Sequence, residues 1–200
     1  MATNPATEMA LRTRFGRILM SDACQKIDFH WGRLHIDGSA FSFIALGLAS
    51  RPPHGIGCRV QHLKKNRGAQ YNPTANRIEV PKASFGTNPG EEMEVVHEAT
   101  HAIADATTKS KMRGELEETA AYVAGALYNI NAAASISGPF PVTPTGIWLA
   151  AHNVALQIVG NPGYALSPII ASPLRQAVLT SPTYAFLKQT PNYTHDGVSL

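Results

Sequence analysis

The spacing of apolar and polar residues changes near residue 88 of the chain. Before it, short segments alternate apolar and polar positions, as half-buried strands do; after it, apolar residues recur three and four positions apart, as in helices. Residues 8–20 are an early exception, because Leu11, Phe15 and Ile18 share one face of a predicted helix. The order of helix, strands and then helices predicts an α+β fold with a small, mostly antiparallel sheet.

Four segments before residue 88 carry a strand signal: residues 27–36, 40–48, 56–63 and 77–80. Asp37 and Gly38 lie between the first two segments and form a dipeptide typical of hairpin turns. We therefore expect the apolar residues 40–48 to be the partner strand of residues 27–36.

Helix signals dominate the rest of the chain. Asn88 followed by Pro89 predicts a capped helix start, and this helix extends to about residue 108. A second helix is predicted over residues 115–134. A third begins at Thr143-Pro144 and ends near residue 160. Three short helices are expected at the Ser-Pro pairs Ser167-Pro168, Ser172-Pro173 and Ser181-Pro182.

The length of 200 residues predicts a single domain, residues 1–200, with three parts. These are a strand-rich part (1–87), a pair of central helices (88–138) and a helical C-terminal part (139–200). No apolar run is long enough to span a bilayer. Charged residues interrupt the first twenty positions, so we expect a cytoplasmic protein or one exported without a cleavable signal peptide.

The net charge says little about binding partners, because 17 basic and 14 acidic residues leave only +3. The one tight basic cluster is Lys64, Lys65 and Arg67, which is typical of a solvated loop. We expect neither a nucleic-acid partner nor a membrane partner, and the sequence is silent on oligomeric state. The two cysteines, Cys24 and Cys58, fit either core thiols or one disulfide.

The strongest chemical signal is a His-Glu-x-x-His motif at residues 97–101. Because four residues make slightly more than one helical turn, His97 and His101 project from one face about 40° apart. Two imidazoles so placed can bind one zinc ion, and Glu98 beside them can take a proton from zinc-bound water. The apolar residues around the motif predict a buried helix, in which a Glu-His pair without a metal carries a desolvation cost.

A catalytic zinc needs a third protein ligand, and the next predicted helix offers carboxylates. Glu117 and Glu118 lie 16 and 17 residues after His101, which is enough for a turn and a return helix. Asp105 is a further candidate, since it continues the stripe of His97 and His101 by four residues. The spacing alone leaves these three open.

The motif, with Glu-x-x-Ala on the following helix, resembles the zincin metallopeptidases whose third ligand is glutamate, the gluzincin type; the likeness covers about residues 77–129. It implies zinc ligation by His97 and His101, Glu98 as general base, and residues 77–80 as the strand that pairs with extended substrate. In such enzymes the residue four after the ligand often supports a ligand histidine. Tyr122 can do this after Glu118, so we take Glu118 as the third ligand.

The sequence thus predicts a zinc-dependent peptidase acting on a peptide or protein. A zinc-stabilised regulatory or structural module without turnover is the alternative, as is a zincin-like bacterial toxin or effector. His152, Tyr164 and His195 are candidates to stabilise the oxyanion, and the sequence does not choose among them.

Overall fold

The computed structural model describes residues 4–50, 55–63, 68–108, 111–136, 145–195 and 197–198, and it has the α+β fold predicted from the sequence. The α-helices in this part of the chain are α1 (Pro5–Leu19), α2 (Asp22–Gln25), α3 (Gly38–Ala49), α4 (Pro89–Thr107), α5 (Gly114–Ile136), α6 (Ile147–Ile158) and α7 (Pro168–Thr180). Short 3₁₀ segments cover Pro73–Ala75 and Pro182–Lys188. None of the described helices is long and apolar enough to cross a bilayer.

The strands form small sheets, and all of them are short. They are β1 (Asp28–Trp31), β2 (Leu34–Asp37), β3 (Gly57–Val60), β4 (Gln70–Asn72), β5 (Arg77–Val80), β6 (Met112–Arg113), β7 (Tyr164–Ala165) and β8 (Asn192–Tyr193). The sheet orders are β2-β1-β7, β3-β5-β4 and β6-β8. Three of the five strand pairings in the described residues are antiparallel; β1 with β7 and β3 with β5 are parallel.

Residues 40–48 do not form the predicted strand, because they belong to helix α3. The Asp37 side chain accepts a hydrogen bond from Ala40 N at 2.7 Å and so caps this helix rather than turning a hairpin. The hairpin turn lies earlier, at Gly32, whose φ of 60° suits a glycine. The error has a physical cause, since periodicity cannot distinguish a continuous apolar strand from a buried helix.

The C-terminal part also differs from the prediction. Ser172-Pro173 starts no helix but lies inside α7, which begins at Pro168 and is capped by Ser167. Ala171, Leu174 and Val178 bury one face of α7, and this packing carries the helix through the proline. Ser181 caps the 3₁₀ segment, as expected for a Ser-Pro pair. Thr143-Pro144 lies outside the described residues.

Small residues let α4 and α5 pack closely together, and this helix pair positions the motif. Ala99 and Ala102 of α4 and Ala120 and Ala124 of α5 are fully buried. At Gly125, a Cβ atom would lie 2.8 Å from the Trp148 ring, so only glycine fits there.

One cluster of buried apolar side chains draws on elements from α1 to the second 3₁₀ segment. The described residues before residue 88 form three α-helices as well as five strands. Cys24 and Cys58 belong to this cluster as free thiols, and burial raises the pKa of both.

Candidate metal centre

Helix α4 buries both histidines of the motif. The Asn88 side chain accepts a hydrogen bond from Glu91 N at 3.1 Å, so the predicted N-cap is present. The apolar side chains around the motif pack into the core, and His97 and His101 are only 4% and 8% exposed. Burial therefore leaves the two imidazoles to find polar partners within the protein.

Glu118 of α5 points at the two histidines. Its Oε2 atom lies 3.3 Å from His97 Nε2 and 3.6 Å from His101 Nε2. The two Nε2 atoms are 3.3 Å apart. Three donor atoms from two helices thus converge on one buried point, and within the described residues this is the one group of three such side chains placed to hold a metal ion.

The donor set fits a tetrahedral cation. Ligand atoms about 2.0–2.1 Å from a tetrahedral zinc ion are about 3.3–3.4 Å from one another, close to the separations of these three atoms. Glu118 Oε2 is buried and has no hydrogen-bond partner within the described residues, although buried carboxylate oxygens normally have one. Two imidazoles and one carboxylate are also ligands that zinc prefers.

The charges of the histidines and glutamates at the centre depend on one another. Burial alone would raise the pKa of Glu118, but His101 and His97 hold that pKa well below its usual range. Burial would lower the pKa of His101, whereas Glu118 and Glu117 raise it well above the usual value. Without a metal, these histidine and glutamate groups therefore stabilise one another as an ion pair.

Glu117 faces the other nitrogen of His101. Its Oε1 atom lies 2.7 Å from His101 Nδ1, while Glu118 approaches Nε2 of the same ring. A carboxylate on Nδ1 fixes the ring orientation and leaves Nε2 free to bind a metal. The two consecutive glutamates thus hold opposite sides of one imidazole.

Tyr122 does not support a ligand histidine as the resemblance suggested. Its hydroxyl group lies 2.9 Å from that of Tyr184, and its ring packs edge-on against His97. The hydrogen-bonding support comes from Glu117 instead, because α5 turns the residue just before Glu118 towards His101 Nδ1.

Asp105 lies apart from the three converging donors. Its carboxylate accepts hydrogen bonds from the Tyr71 hydroxyl at 2.9 Å and from Gly197 N at 3.2 Å. His195 Nδ1 is 3.4 Å from the same carboxylate. Asp105 therefore contacts the C-terminal segment and does not belong to the group of three donors.

The C-terminal segment folds back over the centre, which sequence reasoning missed. Strand β8 pairs with β6, and the Tyr193 hydroxyl donates to Glu118 Oε1 at 2.6 Å. His195 Nε2 lies 3.0 Å from Glu117 Oε2. The side chain of His195 is buried; burial would lower its pKa, but Asp105 and Glu117 raise it to about 9. The one sequence signal for this arrangement is that Tyr193 and His195 are two residues apart, because in an extended segment such side chains lie on the same side.

Glu98 lies at the wall of the cavity beside the three donors. Its Oε1 atom is 4.0 Å from His97 Nε2, and its Oε2 atom accepts a hydrogen bond from Tyr71 N at 2.5 Å. Tyr71 belongs to β4, so this strand holds one oxygen of the carboxylate in place.

Strand β4, rather than β5, borders the cavity. The resemblance implied that residues 77–80 pair with substrate, but these residues form β5, which lies between β3 and β4 in its sheet. Because both edges of β5 are occupied, it has no edge left for a further strand. Gln70 and Tyr71 of β4 line the cavity.

The cavity has a volume of about 570 Å³ and combines a polar floor with aromatic walls. Its aromatic residues are Tyr71, Tyr122, Trp148, Tyr184, Phe186 and Tyr193. Of the three oxyanion candidates, His195 lines the cavity, but both of its ring nitrogens face carboxylates. Tyr164 lies in β7 beside Phe29, and His152 is buried in α6; neither lines the cavity.

Comparison of the chain with protein-family models, with curated proteins and with solved structures found no match.

Proposed function

We propose that the protein is a zinc-dependent peptidase with His97, His101 and Glu118 as metal ligands and Glu98 as general base. The observation that carries the proposal is the convergence of the three donor atoms, 3.3–3.6 Å apart, with Glu118 Oε2 lacking any other partner in the described residues. Three protein ligands leave one coordination position open, which is typical of catalytic rather than structural zinc sites.

A zinc ion held there supplies a Lewis acid that lowers the pKa of a water molecule and polarises a carbonyl group. The chain's own contribution is to hold the donors rigidly. Glu117 orients His101, and Tyr193 orients Glu118. Burial of all three ligands lowers the local dielectric constant, so that their charges act strongly on a bound group.

Glu98 is placed to move the proton. Tyr71 N holds its Oε2 atom, while its Oε1 atom lies 4.0 Å from His97 Nε2, one of the three donors. In the proposed reaction this carboxylate takes a proton from the attacking water and passes it to the leaving amine.

The edge of β4 supports a peptide as the substrate. Gly68, Ala69 and Gln70 line the cavity next to the candidate metal centre. An extended peptide can add to a strand edge through main-chain hydrogen bonds, and the aromatic walls opposite offer contacts to its side chains. Because Tyr71 N already donates to Glu98, these bonds fall to the residues that precede it.

The test combines metal analysis with peptide cleavage. Purified protein should contain one equivalent of zinc, and it should cleave a mixed peptide library in a way that a chelator abolishes and zinc restores. Glu98→Gln should keep the metal and lose cleavage by about a hundredfold or more. Glu92→Gln is the matched control: Glu92 lies in the same helix, where its carboxylate accepts a hydrogen bond from the Tyr128 hydroxyl.

The outcomes separate the candidate functions. Bound zinc without cleavage, with a fourth protein ligand in the metal spectrum, supports a structural module instead. Cleavage by Glu98→Gln at the rate of the parent excludes the proposed base. Absence of any bound divalent metal in the parent removes the proposal altogether.

A further inference from the structure

A second large depression in the surface runs between α1 and α3, which pack against each other. It has a volume of about 830 Å³, and its residues all differ from those that line the candidate metal centre. Three large apolar side chains on this face are exposed to solvent: Met9 (67%), Met20 (55%) and Leu46 (66%). A groove that combines exposed apolar side chains with a polar rim is a candidate binding surface.

The residues of α1 that line this groove recur three and four positions apart along the whole helix, and their positions are symmetrical about its middle. They are Pro5, Glu8, Met9, Arg12, Thr13, Gly16, Arg17 and Met20. The midpoint lies between positions 12 and 13. When a second α1 runs antiparallel across this midpoint, position 8 faces position 17 and position 9 faces position 16.

The charges at the two ends of this stripe, Glu8 and Arg17, complement each other in that arrangement. Within the described residues, Arg17 is exposed and makes no ion pair, and the one ion pair of Glu8 is with Arg12 Nη1 at 3.9 Å. The other two arginines are held within their own chain, since Arg12 Nε and Arg14 Nη1 donate to main-chain carbonyl groups. Arg17 is therefore the arginine of α1 that is available to pair with a second molecule. In the antiparallel arrangement it faces Glu8 of that molecule.

The shapes also complement each other. A Cβ atom at Gly16 would meet no atom within 4 Å, so packing within one chain does not require glycine there. Glycine also weakens a helix interior. In the antiparallel pair, the exposed Met9 of one copy lies over Gly16 of the other, where the missing side chain leaves room for it.

We propose that two copies of this chain form a dimer in which each α1 packs antiparallel to the other along the α1–α3 groove. Glu8 of each copy pairs with Arg17 of the second copy, Met9 packs over Gly16, and Leu46 at the rim contacts the second α1. The proposal is independent of the proposed function, because it uses none of the residues of the candidate metal centre.

Sedimentation velocity over a concentration series tests the dimer, and charge reversal tests its geometry. Arg17→Glu sets an acidic side chain against Glu8 of the other copy at both ends of the helix pair. Glu8→Arg likewise sets a basic side chain against Arg17 at both ends. Each variant alone should raise the dimer Kd by about tenfold or more, because like charges face each other. Mixed together, the two variants should form a heterodimer with the affinity of the parent, since each chain then meets the opposite charge.

Two further variants serve as controls. Arg33→Glu makes the same charge change in the turn between β1 and β2, outside the groove, and should dimerise like the parent. Gly16→Leu fills the space over which Met9 packs and should give a monomer, although leucine favours the helix more than glycine does. Circular dichroism establishes that each variant is folded.

The result that overturns the proposal is a parent protein that remains monomeric at about 100 μM, where even weak specific interfaces are populated. A parent dimer that tolerates both charge reversals and Gly16→Leu overturns it as well, because the interface then lies elsewhere. Folded monomeric variants that fail to associate when mixed exclude the antiparallel register.

Discussion

His101 Nδ1 lies 2.7 Å from Glu117 Oε1, on the opposite side of the imidazole from the nitrogen that faces Glu118. Two consecutive residues of α5 thereby take different positions around one ring. Glu118 offers an oxygen to the metal position, and Glu117 holds the ring that stands beside it. The distinction between these glutamates gives the first prediction.

Glu117→Gln should weaken zinc binding without abolishing it. The amide oxygen still accepts a hydrogen bond from His101 Nδ1, but the negative charge that makes the ring a better ligand is lost. We expect a loss of about ten- to hundredfold in zinc affinity, measured by competition with a chromophoric chelator. Glu118→Gln should lose far more; the reverse order would assign the ligand role to Glu117.

Tyr193→Phe should destabilise the metal-free protein by about 1–2 kcal/mol, because the buried Glu118 carboxylate loses a hydrogen bond. The phenylalanine ring keeps the packing of Tyr193 against Phe186, so the change isolates the hydroxyl group. Urea unfolding in the presence of a chelator gives the free energy. Tyr164→Phe, in β7, is the control, and an equal loss there would show that the effect is not specific to Glu118.

The stability contributed by His195 should depend on pH. Its folded-state pKa of about 9 lies above the unfolded value of about 6.5, since Asp105 and Glu117 favour the protonated ring. A raised pKa stabilises the folded protein fully below the unfolded pKa, and this contribution is lost as pH rises through the folded pKa. The unfolding free energies of the parent and His195→Gln, both metal-free, should therefore differ most near pH 6 and converge above about pH 9. A difference that grows with pH would contradict the assignment.

Zinc should raise the melting temperature of the parent, because a ligand that binds only the folded state stabilises it. His97→Ala removes one of the three donors and should abolish this shift. Differential scanning fluorimetry after chelation and zinc addition measures both. A similar shift in parent and variant would place the metal elsewhere in the protein.

Local signals in the sequence located the central part of the site. Asn88 and Pro89 define the start of α4, and the four-residue spacing of His97 and His101 fixes their common face. These features depend on neighbours within one or two helical turns, which a sequence pattern records directly. The α+β class follows from the order of such local segments.

The long-range parts of the site were not predictable in the same way. Tyr193 meets Glu118 across 75 residues, and β4 rather than β5 lies at the sheet edge. Strand order and the path of a terminal segment depend on tertiary packing, which leaves no periodicity in the sequence. The strand prediction for residues 40–48 failed for a related reason, because the Asp37 cap decided between two structures that the apolar run allows equally.

The ladder between β6 and β8 has only two residues on each side, too few to anchor a segment by themselves. The polar contacts of Tyr193 and His195 therefore supply much of what fastens this segment to the rest of the molecule. Protease cleavage near Thr190 should therefore report on these contacts: Tyr193→Phe and His195→Gln should be cut there faster than the parent, because each variant loses a contact that fastens the segment.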